Sequence, residues 1–308
     1  MPELPDIAIY IEALEKRILG HTLLRARIAG PFLLRTAAPP ADSFHGHKVT
    51  ELRRIGKRIA LGFDNAHWLV FHLMIAGRLH WKSRPVNPGG RRTLAAFEFE
   101  SGTLTLTEAG SQKRASLHLF ANEDDMRQID PGGLEVLAAA QGQFASMLTS
   151  ENHTLKRALT DPHLFSGIGN AYSDEILFHA QLSPVQLTQR MEAQAIERLY
   201  RAVQATLSDW MVLLRTEAGG RFPENVTAFR EEMYVHGRYG QPCRKCGVKI
   251  QRIRYASNET NYCPNCQTGD KLLADRALSR LLREDWPRSL DELDEHLAAK
   301  RSALQEPL

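Results

Sequence analysis

Four cysteines constrain this chain more than any other feature. They lie in the stretch CRKCGVKIQRIRYASNETNYCPNCQ, as Cys243-x2-Cys246 and Cys263-x2-Cys266, with sixteen residues between the pairs, and no other cysteine occurs in the 308 residues. A secreted disulfide protein usually spreads its cysteines more widely. Clustered this closely, they have the spacing of two knuckles joined by a hairpin, the tetrahedral thiolate pattern of structural zinc, one Zn2+ per chain. Four sulfurs fill the coordination shell and leave no open position for catalysis. Four free thiols or a redox pair are the competing readings. The module also carries Arg238, Arg244, Lys245, Lys249, Arg252 and Arg254, which suits a polyanion or is a basic solvated face.

Charge adds a mild bias. Net charge is +3 overall, but residues 268–308 hold seven basic and nine acidic residues, leaving 32 basic against 27 acidic in residues 1–267. That excess fits a nucleic-acid partner without requiring one. No apolar run approaches the length of a membrane span, so no membrane role is expected. The opening MPELPDI is acidic and proline-broken, unlike a signal peptide, and a cytoplasmic location is expected.

Hydrophobic periodicity divides the chain. DIAIYIEALEKRILGHT places Ile7, Ile11, Leu14 and Ile18 at helical spacing, with Gly20 as a stop. Eight short β-like runs follow: TLLRARI, KVTELRRI, RIALGF, HWLVFHL, RLHWK, TLAAFEFE, TLTLTE and SLHLF. One helix and eight strands predict a helix-capped antiparallel sandwich or barrel over residues 1–122. The polar stretch ANEDDMRQIDPGG reads as a linker. From Leu134 to about Thr216 the period is helical, giving an all-helical domain over 133–220. AGGRFPENV reads as a mobile loop, residues 235–267 as the zinc module, and 268–308 as one or two amphipathic helices. The predicted class is α+β, multidomain.

Three further features carry chemistry. In GIGNAYSDE, Gly167 and Gly169 bracket a turn that opens a helix near Asn170, and helix N-termini bind phosphate; alone, such a turn is more often a connector. Lys57, alone, is a surface lysine. Pro2 and Glu3, alone, read as a frayed start. If Met1 is removed, however, Pro2 is a secondary amine. An α-amino group titrates near neutrality, so a usable fraction is unprotonated and can attack a sugar C1′. Glu3 beside it could move protons.

Taken in order, MPELPD, RRIGK, HLMIAGRL, GIGNAYSDE and YCPNCQ resemble the formamidopyrimidine-DNA glycosylase / endonuclease VIII family of base-excision repair enzymes over about residues 1–267. The resemblance implies a sandwich, a helix–two-turn–helix domain and a zinc finger. It implies damaged double-stranded DNA as partner, no organic cofactor, and a monomer. It also implies glycosylase and abasic-site lyase activities through a Schiff base on Pro2, with Glu3 as acid/base partner and Lys57 assisting at the phosphate. Asn170 and the zinc hairpin would hold the DNA backbone, and a flipped base would expose the sugar to Pro2.

The chain departs from the family pattern in places. A hairpin arginine that grips phosphate is replaced by Asn258, a neutral amide. The residues that fill the gap left by the flipped base would be Ile75, beside Met74, and Arg114, while Ala115 stands where an aromatic wedge would be. Active repair with an altered lesion preference is the favoured reading. A damage-binding protein with little or no turnover and an unrelated zinc-ribbon protein are the alternatives.

Overall fold

The computed structural model describes residues 1–89, 92–109, 112–224, 226–227, 229–255 and 258–274, with scattered positions between 287 and 295. The helices expected over 268–308 therefore lie mostly outside the described residues. Two compact units are present. The first comprises Met1–Glu135, Asp161–Ile168 and Leu207–Ala228; the second comprises Val136–Thr160, Gly169–Thr206 and the chain from Phe229 onward.

In the first unit, α1 (Leu4–Ile18) buries Ile7, Tyr10, Leu14 and Ile18 along one face. Its start is tightly specified. Glu3 is the N-cap, its backbone N–H donates to Asp6 Oδ2 at 2.9 Å, and Pro5 occupies the first turn, where a missing N–H costs nothing. The helix ends before Gly20, whose φ is +79°.

The eight strands follow as β1 (Leu23–Ile28), β2 (Val49–Ile55), β3 (Arg58–Phe63), β4 (Trp68–His72), β5 (Gly77–Lys82), β6 (Thr93–Phe99), β7 (Gly102–Glu108) and β8 (Ser116–Phe120). They form two antiparallel four-stranded sheets, ordered β1-β6-β7-β5 and β2-β3-β4-β8. Alternate residues such as Ile59, Leu61, Leu69, Phe71, Leu117 and Leu119 meet Phe97, Leu104 and Leu106 of the other sheet and the apolar face of α1 in one core. The register brings several loops to one end of the second sheet. Arg58 pairs with His72, and His72 with Ser116. The β2–β3 turn, the β4–β5 loop and the entry to β8 therefore lie side by side.

Three expectations need correction in this region. The stretch read as a linker contains a short helix, α2 (Glu123–Arg127), capped by Asn122 Oδ1 accepting from the Asp125 N–H at 2.8 Å. It forms because Met126 covers Ile55, Ala60, Trp68 and Val70 on the sheet's outer face. The loop read as mobile is anchored by Phe222 and Val226, both buried in the sandwich core, with Phe222 against Tyr10. Residues 134–140 are not helical. Leu134 instead exchanges backbone bonds with Leu164 and Ser166 at 2.9 Å each.

The second unit contains α3 (Gln141–Thr149), α4 (Leu155–Thr160), α5 (Asn170–His179), most of α6 (Ala193–Ala218), the hairpin β9 (Gln251–Tyr255) and β10 (Asn258–Tyr262), and α7 (Pro264–Thr268). Here the carbonyls of Val136 and Ala139 accept side-chain bonds from Gln204 Nε2 and Tyr200 Oη of α6, at 2.5 and 2.9 Å. Those bonds replace the helical ladder that the alanine-rich run suggests. No helix among the described residues is long and apolar enough to cross a membrane.

Candidate functional site

Pro2, Glu3 and Asp6 are all buried at the start of α1. The N–H of Leu4, which a helix leaves without an internal partner, donates to Gly167 O at 2.9 Å. Gly167 is required for this approach. Its φ is +83°, and a Cβ there would sit 2.9 Å from both Leu4 Cβ and Arg54 Nη1. Arg54 in turn donates to Gly56 O at 2.8 Å and Ser166 Oγ at 3.1 Å, and it pairs with Glu135. The second arginine of RRIGK thus ties the β2–β3 turn, which carries Lys57, to the start of α1. Arg53 faces elsewhere, stacked over Trp68 and paired with Glu51 and Glu123.

Electrostatics at this end favour a neutral amine. Burial holds the Met1 amino group below its ordinary value; Glu3 and Asp6 oppose the shift, while Arg78 and Lys57 add to it. Arg78 is a residue the sequence reading did not single out. It also organises the neighbouring loop, donating through Nη1 to Ile75 O at 3.1 Å and Gly77 O at 2.7 Å and through Nε to Val226 O. Ile75 itself is 56% exposed, and the preceding Met74 has a left-handed φ of +52°. His72 was likewise missed. Burial, Arg58, Lys57 and His118 push it down to about 4, so it is neutral at physiological pH. Both lie within HLMIAGRL, but nothing in that motif tells which of its residues face the site.

Arg114 is exposed, and its backbone N–H is held by the buried Glu108 carboxylate, at 3.1 and 3.0 Å to the two oxygens. Ala115 N–H donates to the same carboxylate at 3.2 Å, and the Ala115 side chain is buried in the sandwich core. Ala115 therefore faces the protein interior rather than a ligand. Pro2, Glu3, Lys57, Ile75 and Arg114 share one end of the first unit.

Asn170, Asn258 and the cysteines belong to the second unit. Asn170 opens α5, and its Nδ2 donates to Glu259 O of β10 at 2.9 Å. Beneath it lies a buried polar network. Lys156 Nζ donates to Asn170 O, Ser173 Oγ and Asp174 Oδ1, at 2.7, 2.8 and 2.5 Å. Asp174 Oδ2 also faces His236 Nδ1 at 2.8 Å and the Asn261 backbone N–H at 3.2 Å. Glu175 accepts from the backbone N–H groups of Tyr234, Val235 and His236, while burial pushes its pKa up. The acids of GIGNAYSDE thus bind α5 to the zinc module. Asn258 is exposed at the start of β10. Arg252 is engaged by Glu259 at 3.1 Å and lies 4.0 Å over Tyr239, whereas Arg254 is exposed.

The Sγ atoms of Cys243, Cys246, Cys263 and Cys266 all lie within 4.8 Å of one another. Without a cation, burial pushes the Cys266 thiol up to about 11. Four converging sulfurs of this kind become thiolates together only around a dication, and the donor set is that of one structural zinc ion. The ion would close the knuckles against the apolar cluster of Phe178, Val235 and Ile250.

Comparison with known proteins agrees with this arrangement. Residues 1–113 match the formamidopyrimidine-DNA glycosylase N-terminal domain, 133–214 the formamidopyrimidine-DNA glycosylase H2TH domain, and 240–269 the zinc finger found in FPG and IleRS. The formamidopyrimidine-DNA glycosylase of Heliobacterium modesticaldum is 31% identical over 282 residues, covering 87% of this chain and 100% of that protein. The MutM (Fpg) protein from Thermus thermophilus superposes with a TM-score of 0.71 at 29% identity, over 86% of this chain and 98% of that one. The fold is also that of Lactococcus lactis Fpg in its complex with DNA containing an abasic site, with a TM-score of 0.76 at 24% identity over 86% and 99% of the two chains. The chain belongs to the formamidopyrimidine-DNA glycosylase family of zinc-finger DNA-repair enzymes.

Proposed function

We propose that this glycosylase is bifunctional, excising a damaged base from double-stranded DNA and then cutting the abasic strand through a Schiff base on Pro2. The observation that carries the reading is the buried Pro2–Glu3 start of α1, where burial, Arg78 and Lys57 lower the pKa of the terminal amine, here that of Met1. Removal of Met1 makes Pro2 nitrogen that amine. It attacks C1′, the bond from C1′ to the base breaks, and the base leaves with a proton from water. Glu3 takes the proton from the attacking nitrogen and delivers it to the ring oxygen as the C1′–O4′ bond opens, giving an iminium. Glu3, a carboxylate again, takes a C2′ proton as the C3′–O bond breaks and the 3′ phosphate leaves, and water then adds to C1′ and releases the enzyme.

Lys57 would neutralise a phosphate beside the lesion. Ile75 and Arg114 would occupy the space left by the extruded nucleotide. Asn170, Asn258 and the cationic hairpin would hold the backbone without reading bases. The test is incision of a duplex containing an abasic site. Wild type should cut it, and Pro2→Gly should be slower by about 100-fold or more while still binding an uncleavable abasic analogue. Equal incision by Pro2→Gly would refute the role of Pro2. Binding without incision by wild type would establish the damage-binding alternative.

A further inference from the structure

Phe32 is 84% exposed, the most exposed of the large apolar side chains among the described residues. Its exposure is not that of a loose loop. It sits in a 3-10 turn, Pro31–Leu33, whose Leu33 is buried in the sandwich core. Leu33 N–H donates to Gly30 O at 3.3 Å, Arg35 Nη1 to Phe32 O at 2.6 Å, and Arg35 N–H to Leu117 O at 2.9 Å. Leu119 N–H donates to Thr36 Oγ1 at 2.8 Å. The turn is thus fastened on both sides while one large apolar ring is held outward.

The register says where that ring stands. Leu34 forms a parallel bridge with Leu117. Because the two segments run in the same direction and the 31–33 turn comes just before Leu34, that turn lies toward the entry to β8, the end at which Ala115 stands. This is the same end of the sheet that carries Lys57, Ile75 and Arg114. It is also where the chain has no aromatic on the β8 side, since Ala115 is buried.

We propose that Phe32 is the aromatic wedge of this enzyme: a positioning residue that inserts into the base stack at the lesion, filling on the duplex side the place that Ala115 does not fill. Apolar wedges unstack base steps and kink duplex DNA, and a held-out phenyl ring beside a cationic edge has the chemistry for it. The aromatic would come from a different segment of the chain, so that its approach to the stack is set by the 31–34 turn. The proposal rests on the DNA-repair reading above and adds to it a residue acting through the DNA rather than on the reacting atoms.

The experiment compares wild type, Phe32→Ala and Phe32→Trp on an abasic duplex with 2-aminopurine beside the lesion, and on the same abasic oligonucleotide single-stranded. On the duplex, Phe32→Ala should lose most of the 2-aminopurine fluorescence rise and incise roughly 10-fold or more slowly, as expected for loss of base–aromatic stacking. Phe32→Trp should restore both. On the single strand, where nothing needs to be unstacked, all three should incise alike. Thermal melting should be unchanged, because the ring is solvent-exposed. Equal duplex fluorescence and incision in wild type and Phe32→Ala would overturn the wedge proposal, as would a loss of equal size on both substrates. Failure of wild type on the single strand as well would instead count against the lyase reading on which the proposal rests.

Discussion

Gly167→Ala tests the coupling between the glycine turn and the catalytic end of α1. Gly167 has φ +83°, and a Cβ there would lie 2.9 Å from Leu4 Cβ and from Arg54 Nη1. The left-handed backbone alone costs a non-glycine residue about 1–2 kcal/mol. The clash adds about 1–3 kcal/mol, because Leu4 Cβ is fixed by the helix and cannot swing away. A total of about 2–5 kcal/mol corresponds to a fall in melting temperature of roughly 5–15 °C for a unit of this size. Gly20 is the control. Its φ is +79° with nothing within 4 Å of a Cβ, so Gly20→Ala should cost only the backbone share, about 1–2 kcal/mol. The functional effect should exceed the stability effect. Relief of the clash must move Leu4, hence Pro2 and Glu3, and a displacement of about 1 Å at a reacting group costs up to about 100-fold in rate. Differential scanning calorimetry and abasic-duplex incision at 25 °C measure both. If Gly167→Ala melts with Gly20→Ala and incises like wild type, the turn does not position the site.

Other outcomes follow from the same geometry. Asn258→Arg should tighten DNA binding and steepen the plot of log affinity against log salt by about 0.9, because one more phosphate is neutralised; fluorescence anisotropy across a salt series would show it. Cys263→Ser should lower the zinc content from about one per chain to near none, measured by metal release to a colorimetric chelator, and should cost most of the DNA affinity. Stability should depend on His72. Its folded value of about 4 lies below the ordinary 6.5, so the unfolded chain binds the extra proton. Stability from this group is complete above about pH 6.5 and is lost as pH falls toward 4, by up to roughly 3 kcal/mol. Urea denaturation at pH 7 and pH 5 should show a smaller difference in His72→Gln than in wild type.

Much of the fold was legible because its periods are local. The alternation in TLTLTE and SLHLF picks out Leu104, Leu106, Leu117 and Leu119 as the side chains that enter the sandwich core, and the spacing of Ile7, Leu14 and Ile18 does the same for α1. Residues 134–140 misled because alanine-rich helix propensity was overridden by bonds from Tyr200 and Gln204, some sixty residues away. The short α2 carried a readable signal, Asn122 followed by three acids, but its reason for forming, the exposed outer face around Trp68, exists only in the assembled sheet. At the candidate site, Pro2, Glu3, Lys57, Asn170 and the cysteines stood out through motif order. Arg78 and His72 sit inside HLMIAGRL and Phe32 in a short turn, but what each of them faces depends on how the strands assemble rather than on neighbours in the chain. Ala115 looked like a vacant ligand-facing position in the sequence and is a core residue in the structure.

The central claim is that the Pro2 nitrogen is the nucleophile. Borohydride reduction of the protein mixed with an abasic duplex, followed by proteolysis and mass spectrometry of the cross-linked peptide, tests it most directly. A reduced sugar–phosphate adduct is expected on the N-terminal peptide, on Pro2 nitrogen, with Met1 absent. An adduct on Lys57 or another lysine, an adduct on a chain that retains Met1, or no adduct while the strand is cut, would contradict it.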